Sequence, residues 1–326
     1  MRAAWYEKHG PAREVLQVGE IDTPEPGEGD VLVCLSASGV NPSDSKGRLG
    51  SRPVKWPRIV PHSDGAGVIE GVGAGVDASR VGERVWVFNG QWERPLGTAA
   101  EYISLPADTA VHLPDSVSFA EGACLGIPAM TAHRALFADG PVSGRTVLVT
   151  GGAGAVGNYG VQLAKWGGAS VIATVSSEEK GEAARSAGAD HILNYRTENV
   201  SERIMEITGG QGVDHVVDVD LGENLPVTAG VLKVNGTIAA YASMRVPEPV
   251  FPHYTLMRVN ANIRLVFVYT MPDEAKRSAC ADIVRACEEG RLIHPVGPRF
   301  SLDDVAAAHE VIESGNFIGN VVVDIG

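Results

Sequence analysis

Cysteine and positive charge are both scarce in this chain. Its 326 residues include four cysteines, Cys34, Cys124, Cys280 and Cys287, and no two stand at the spacing of a zinc knuckle or a redox motif. A metal ribbon is thereby excluded, and reduced, buried thiols are expected. Lysine and arginine number 27 against 40 acids, a net charge of −13, which argues against a nucleic-acid scaffold or an anionic-membrane binder and for a small-molecule partner. No uncharged apolar run approaches the roughly 20 residues that span a bilayer. Charges interrupt the first ten residues where a secretory signal would be continuously apolar. A cytoplasmic protein is expected.

Glycine is abundant, at 39 residues, so backbone positions with positive φ or close ligand approach should be frequent. The length suits two domains. Up to about residue 122 the sequence consists of short β-runs broken by Gly and Pro, at 31–35, 65–71, 84–88 and 100–104, the pattern of a barrel-like all-β domain. Beyond it strands alternate with helices: strands at 146–150, 170–175, 191–194, 215–219 and 237–241, helices at 155–166, 178–187, 200–207 and 225–232. That alternation demands parallel pairing with right-handed crossovers, a doubly wound sheet. A strand at 263–268 could join its edge. The expected fold class is therefore α/β, with domains at 1–122 and 123–268 and a return segment, 269–326, completing the first.

Thr146-Val-Leu-Val-Thr-Gly-Gly-Ala-Gly-Ala-Val-Gly157 carries the G-x-G-x-x-G spacing at Gly152, Gly154 and Gly157, between a strand and a helix. There the backbone can approach a pyrophosphate and the helix N-terminus favours its charge, which makes Ala153, Gly154, Ala155, Val156 and Gly157 candidate cofactor contacts. The acid that reads a ribose 2′-hydroxyl should end the second strand; Val175 stands there instead. Ser176 and Ser177 follow, whose hydroxyls tolerate a 2′-phosphate, and Lys180 is one turn away to pair with it. The cofactor expected is NADPH. The alternative has Glu178 reaching back to the ribose while Lys180 is merely solvated.

The phosphate loop, Gly39-Val-Asn-Pro-Ser-Asp44, Pro61-His-Ser-Asp-Gly-Ala-Gly-Val-Ile69, Gly82-Glu-Arg-Val85 and Gly126-Ile-Pro-Ala-Met-Thr-Ala132 occur in order over most of the chain. Together they resemble the medium-chain dehydrogenase/reductase superfamily, within it the zinc-free, zeta-crystallin-like NADPH:quinone oxidoreductases. The resemblance implies a GroES-like β-barrel domain built from both chain ends, an inserted Rossmann domain, and NADPH in the cleft between them. Where zinc-dependent relatives place a ligating Cys, this chain has Asn41, and their His-Glu pair falls on Ser63 and Asp64. His62 lies one residue early, where a strand would turn its side chain the other way. No metal is expected.

By the same resemblance Asn41 lies near the nicotinamide, able to bind a substrate carbonyl or cofactor hydroxyls; Asn-Pro also initiates turns unaided. Lys46 replaces the tyrosine of several quinone reductases and pairs with the cofactor, pairs with Asp44, or is solvated. The resemblance places Thr131 beneath the ring and Tyr195 against the 2′-phosphoribose. Tyr241, Ala242 and Ser243 follow a strand at the carboxyl edge of the sheet, where ligands in open α/β folds bind. Phe267, Val268 and Tyr269 match the strand whose backbone holds the carboxamide and whose edge pairs in a homodimer. Without zinc as Lewis acid, reduction of a quinone or other α,β-unsaturated carbonyl is the expected activity. The alternatives are an enoyl-thioester reductase, or an NADPH-binding structural protein of crystallin type.

Overall fold

A computed structural model describes all 326 residues. The chain forms two compact units. One comprises Met1–Ile127, Ile283–Glu289 and His294–Gly326, the other Pro128–Asp282 and Gly290–Ile293. The expected boundaries at 122/123 and 268/269 therefore lie off the observed ones. Tertiary bonds set the difference: Ile127 N–H donates to Asp64 within the first unit, and His133 Nε2 and Asp282 Oδ2 are 2.8 Å apart within the second. Neither partner is adjacent in sequence, so no local signal marks either division.

In chain order the strands are β1 (Arg2–Trp5), β2 (Gln17–Glu20), β3 (Asp30–Val40), β4 (Asp64–Val72), β5 (Arg84–Val87), β6 (Tyr102–Pro106) and β7 (Ala110–His112). They continue with β8 (Thr146–Val149), β9 (Ser170–Val175), β10 (His191–Asn194), β11 (Val213–Asp218), β12 (Leu232–Ala240), β13 (Asn262–Leu265), β14 (Val296–Ser301) and β15 (Asn320–Asp324). In the first unit seven strands form one sheet, ordered β14-β15-β3-β4-β5-β7, with β6 also on β3. Its spine is β3, whose residues alternate between half-buried and buried before becoming buried throughout towards Val40. Alternation of this kind is what a half-covered antiparallel strand requires. Val31, Val33 and Leu35 join Val85, Val87, Ile103, Leu105, Val321 and Val323 in one apolar core. Because β15 pairs antiparallel with β3, from Val321 opposite Val40 to Asp324 opposite Ala37, the end of the chain completes a sheet begun near its start.

The second unit is a six-stranded, wholly parallel sheet, ordered β10-β9-β8-β11-β12-β13. Val147, Leu148, Val149, Val171, Ile172 and Ala173 are all buried, as strands covered by helices on both faces must be. Strand order reverses between β8 and β11, and in such sheets ligands bind beyond the carboxyl ends at that reversal. The edge strand β13 ends at Leu265, earlier than expected. After the bond from Val266 N–H to Ala240 O, at 2.8 Å, the chain curls into a short 3₁₀ turn, Val268–Thr270, which buries Val268 and Tyr269. No helix is long and apolar enough to cross a membrane.

Candidate functional site

At the carboxyl end of β8, the loop from Gly151 leads into the helix Ala155–Trp166. Its first N–H with a helical partner belongs to Asn158, bonded to Gly154 O at 2.8 Å, so Ala155, Val156 and Gly157 present theirs at the N-terminus, where an anion is favoured. The glycines have distinct physical roles. A Cβ on Gly157 would lie 2.2 Å from Gly151 O, so only glycine lets helix and loop touch. A Cβ on Gly154 would meet nothing nearer than Gly151 O at 3.4 Å, and Gly154 is exposed at φ −77°. Its missing side chain leaves room for something outside the protein, as close pyrophosphate approach requires. Ala153 is buried beneath this loop.

Val175 ends β9 and is buried, so no carboxylate stands there. Ser177 caps the helix Glu178–Ser186, its Oγ accepting from Lys180 N–H at 3.3 Å, while Ser176 and Lys180 are half-buried and the Lys180 ammonium makes no ion pair. Tyr195 follows β10 and is largely exposed; its N–H reaches Val175 O at 3.1 Å, which places its backbone beside the end of β9. Thr131 is buried in the helix Met130–Phe137. Tyr241, Ala242 and Ser243 follow β12, and Ser243 Oγ is already engaged, accepting from Gly222 N–H at 3.0 Å and donating to Val246 O at 2.6 Å. Phe267, Val268 and Tyr269 lie in and before the 3₁₀ turn, so the expectation that they form a strand is corrected: β13 has ended by then.

One residue at this edge was not foreseen. Asp218 closes β11, fully buried, and its Oδ1 accepts from Thr150 Oγ1 at 3.0 Å, Asn224 Nδ2 at 2.7 Å and Asp220 N–H at 3.0 Å, while Oδ2 has no partner. Burial pushes its carboxyl above the usual range.

In the first unit Asn41 precedes the short helix Pro42–Lys46. It is both a turn residue and part of a buried polar cluster. Its backbone N–H donates to Asp44 Oδ2 at 2.7 Å, and its amide Nδ2 donates to Asp64 Oδ2 at 2.7 Å. Ile127 N–H donates to the same Asp64 carboxylate at 2.9 Å. That approach needs glycine next door, since a Cβ on Gly126 would fall 2.1 Å from Asp64 Oδ1. With one amide hydrogen committed to Asp64 and its side chain also facing the Asp44 N–H in the capping box, Asn41 keeps its second amide N–H for another partner. Burial raises the Asp44 carboxyl to about 7 and drives the Asp64 carboxyl well above the usual range. Asp44 Oδ1 is buried without a partner. Lys46 ends the same helix, half-buried.

His62 is fully buried in a left-handed backbone, φ 75°. Its Nδ1 is 2.8 Å from Ser38 Oγ and its Nε2 3.0 Å from His309 Nε2, so both nitrogens have protein partners. No three His, Cys, Asp or Glu side chains are arranged to hold a metal ion. Asp44 with Asn41 was within reach of sequence reading, as an Asn-x-x-Asp helix start; the pairing of His62 with His309 had no sequence signal.

Residues 27–115 match the family model described as an alcohol dehydrogenase GroES-like domain, and residues 155–284 match the one described as a zinc-binding dehydrogenase. The chain is 32% identical to quinone oxidoreductase of Homo sapiens over 315 residues, covering 95% of this chain and 93% of the human one. A mycobacterial protein whose structure is complexed with NADPH is 31% identical, with a TM-score of 0.88 and both chains covered in full. An NAD-dependent alcohol dehydrogenase of known structure is 29% identical with a TM-score of 0.91, again over the whole of both chains.

Proposed function

The chain belongs to the medium-chain dehydrogenase/reductase superfamily, and from that premise we propose that it is an NADPH-dependent reductase that passes hydride to a quinone or other electron-poor α,β-unsaturated carbonyl without zinc. The observation that carries the reading is the phosphate loop, with its exposed, uncrowded Gly154 and three free helical N–H groups beyond β8. NADPH, when bound, supplies the hydride. Ala153 to Gly157 hold the pyrophosphate, and Ser176, Ser177 and Lys180 take the 2′-phosphate, the lysine being free of any carboxylate. Thr131, Tyr195, Lys46, Tyr241 to Ser243 and the backbone of Phe267 to Tyr269 complete the cofactor contacts in this reading.

Asn41 is the residue proposed to touch the acceptor. Its amide, held at one end by Asp64, orients the carbonyl or a hydroxyl with its second N–H. Metal-free chemistry is supported by the donors themselves: an amide stands in place of a thiolate, and both His62 nitrogens are engaged. Activation then rests on an acceptor that is already electron-poor.

A homodimer through the β13 edge is part of the same proposal. Leu265 there is 74% exposed, with Tyr254, Met257 and Phe267 also exposed on the same unit, and open edges invite strand pairing. Four free thiols fit a reducing cytoplasm. Oxidation of NADPH dependent on an added quinone or enone, in the presence of chelator, tests the reading. Turnover that appears only with added zinc would defeat it.

A further inference from the structure

Behind the Asn41 cluster runs a buried chain of hydroxyls and imidazoles whose proton positions can be assigned link by link. Thr98 Oγ1 donates to the carbonyl oxygen of Asp64 at 2.6 Å. A carbonyl only accepts, so the Thr98 hydrogen is committed, and the 2.8 Å contact between Thr98 and Ser38 is donated by Ser38. With that hydrogen in use, the 2.8 Å contact between Ser38 Oγ and His62 Nδ1 needs a proton on Nδ1. Burial pushes His62 down to about 3 and His309 well below the usual imidazole range, so both rings are neutral near pH 7. A neutral His62 protonated at Nδ1 has a bare Nε2, and its 3.0 Å contact with His309 Nε2 is donated by His309. His309 Nδ1 is then the bare nitrogen. It faces two donors, Ser45 Oγ at 3.3 Å and Arg48 Nε at 3.5 Å.

Every link therefore has one polarity, running from Ser45 and Arg48 through His309, His62, Ser38 and Thr98 to the Asp64 backbone. All of these side chains are buried. Arg48, whose positive charge discourages protonation of His309, is held by Glu313 and the Gly10 carbonyl. The other ionisable groups nearby include Asp44, Asp64 and Tyr6, with Arg52 acting on Asp44 and Tyr6, Glu310 on Arg48, and Cys124 beside Asp64. Because the chain ends on a carbonyl it cannot pass a proton onward; what it can do is fix geometry. His62 sits at φ 75°, a left-handed conformation uncommon for residues other than glycine, and both its ring nitrogens are engaged.

We propose that Thr98, Ser38, His62 and His309 are positioning residues for the reduction: they fix the Asp64 backbone, and the Asp64 carboxylate in turn holds the Asn41 amide in one orientation toward the acceptor. The proposal rests on the role assigned above to Asn41. It separates two functions by unit, since the phosphate-binding elements belong to the parallel sheet and this chain to the antiparallel one.

Two measurements test it. Nitrogen-15 NMR of the wild-type protein reads the tautomers and does not depend on turnover: His62 should carry its proton on Nδ1 and His309 on Nε2, and the opposite assignment, or a protonated ring at pH 7, overturns the chain. Thr98→Val removes one hydroxyl at nearly constant volume. It should lower kcat about five-fold or more while the NADPH dissociation constant stays within about two-fold, with Thr98→Ser restoring kcat. A variant that loses only thermal stability and keeps kcat shows the chain to be structural and overturns the positioning role. Should Thr98→Val fail to fold, Ser38→Ala with the same readouts decides. A wild-type protein that reduces no acceptor removes the function reading, and the positioning role with it, while the tautomers still report whether the chain exists.

Discussion

Substituting Gly154 by alanine separates binding from stability more cleanly than any other change in the phosphate loop. At φ −77° and ψ 166° alanine is unstrained, and its Cβ would meet only Gly151 O, at the ordinary contact distance of 3.4 Å. In the free protein the reduced entropy of the unfolded chain and alanine's poorer fit at a helix start roughly offset, leaving stability within about 1 kcal/mol of wild type. The added methyl, however, projects into the space the pyrophosphate must occupy. We expect NADPH to bind about ten-fold more weakly or worse, a loss of about 1.4 kcal/mol. At a concentration 100 times the wild-type dissociation constant, NADPH should stabilise the wild type by about 2.7 kcal/mol and Gly154→Ala by roughly half that. Thermal melts with and without NADPH, alongside a fluorescence titration, read both numbers. Gly157→Ala is the contrast: a Cβ 2.2 Å from Gly151 O must push helix and loop apart, so the free protein itself should melt several degrees lower. The reasoning fails if Gly154→Ala binds NADPH as tightly as wild type, or if its free form melts as low as Gly157→Ala.

Lys180→Ala should weaken NADPH about ten-fold and leave NADH nearly unchanged, because only NADPH carries the 2′-phosphate; equal losses for both cofactors would point to a packing role instead. The buried acids and imidazoles pull stability in opposite directions with pH. Asp44, raised by burial to about 7, contributes stability that is complete below 3.8 and is lost as pH rises through 7, whereas His62, lowered to about 3, contributes stability present above 6.5 and lost as pH falls toward 3. Asp44→Asn removes the first contribution, so between pH 6 and 4 the variant should lose stability faster than wild type, by roughly 1 kcal/mol per pH unit; urea midpoints that track wild type across that window would contradict the assignment. Leu265→Asp places a charge on the exposed β13 edge and should shift light scattering from dimer to monomer, whereas an unchanged mass places any interface elsewhere.

The parallel sheet was legible because its signals are local. Strands 170–175 and 191–194 and the helices 155–166 and 200–207 have the bounds expected from hydrophobic alternation, and the Gly-rich turn announces its own position at the end of a strand. β13 was overextended because Val266 to Tyr269 are apolar enough for a strand; the turn that ends it is set by burial of Val268 and Tyr269, a tertiary effect. In the antiparallel unit Asn41 was singled out, but its anchor was not. Asp64 lies 23 residues away, and His309 lies 247 residues beyond His62. The first pair is created by the antiparallel pairing of β3 with β4, which sets Asp64 opposite Gly39, and the second by the seating of β15 on β3, which brings the preceding helix Val305–Ser314 and its His309 back to the sheet; nothing in the local pattern of these residues encodes either.

Hydride transfer itself is tested most directly by single-turnover reduction with NADPH deuterated at both C4 positions, using an enone acceptor in the presence of chelator. The account predicts slower oxidation than with unlabelled NADPH and one deuterium on the β-carbon of the saturated product. Product labelled only from solvent, or oxidation that proceeds equally without acceptor, would contradict it.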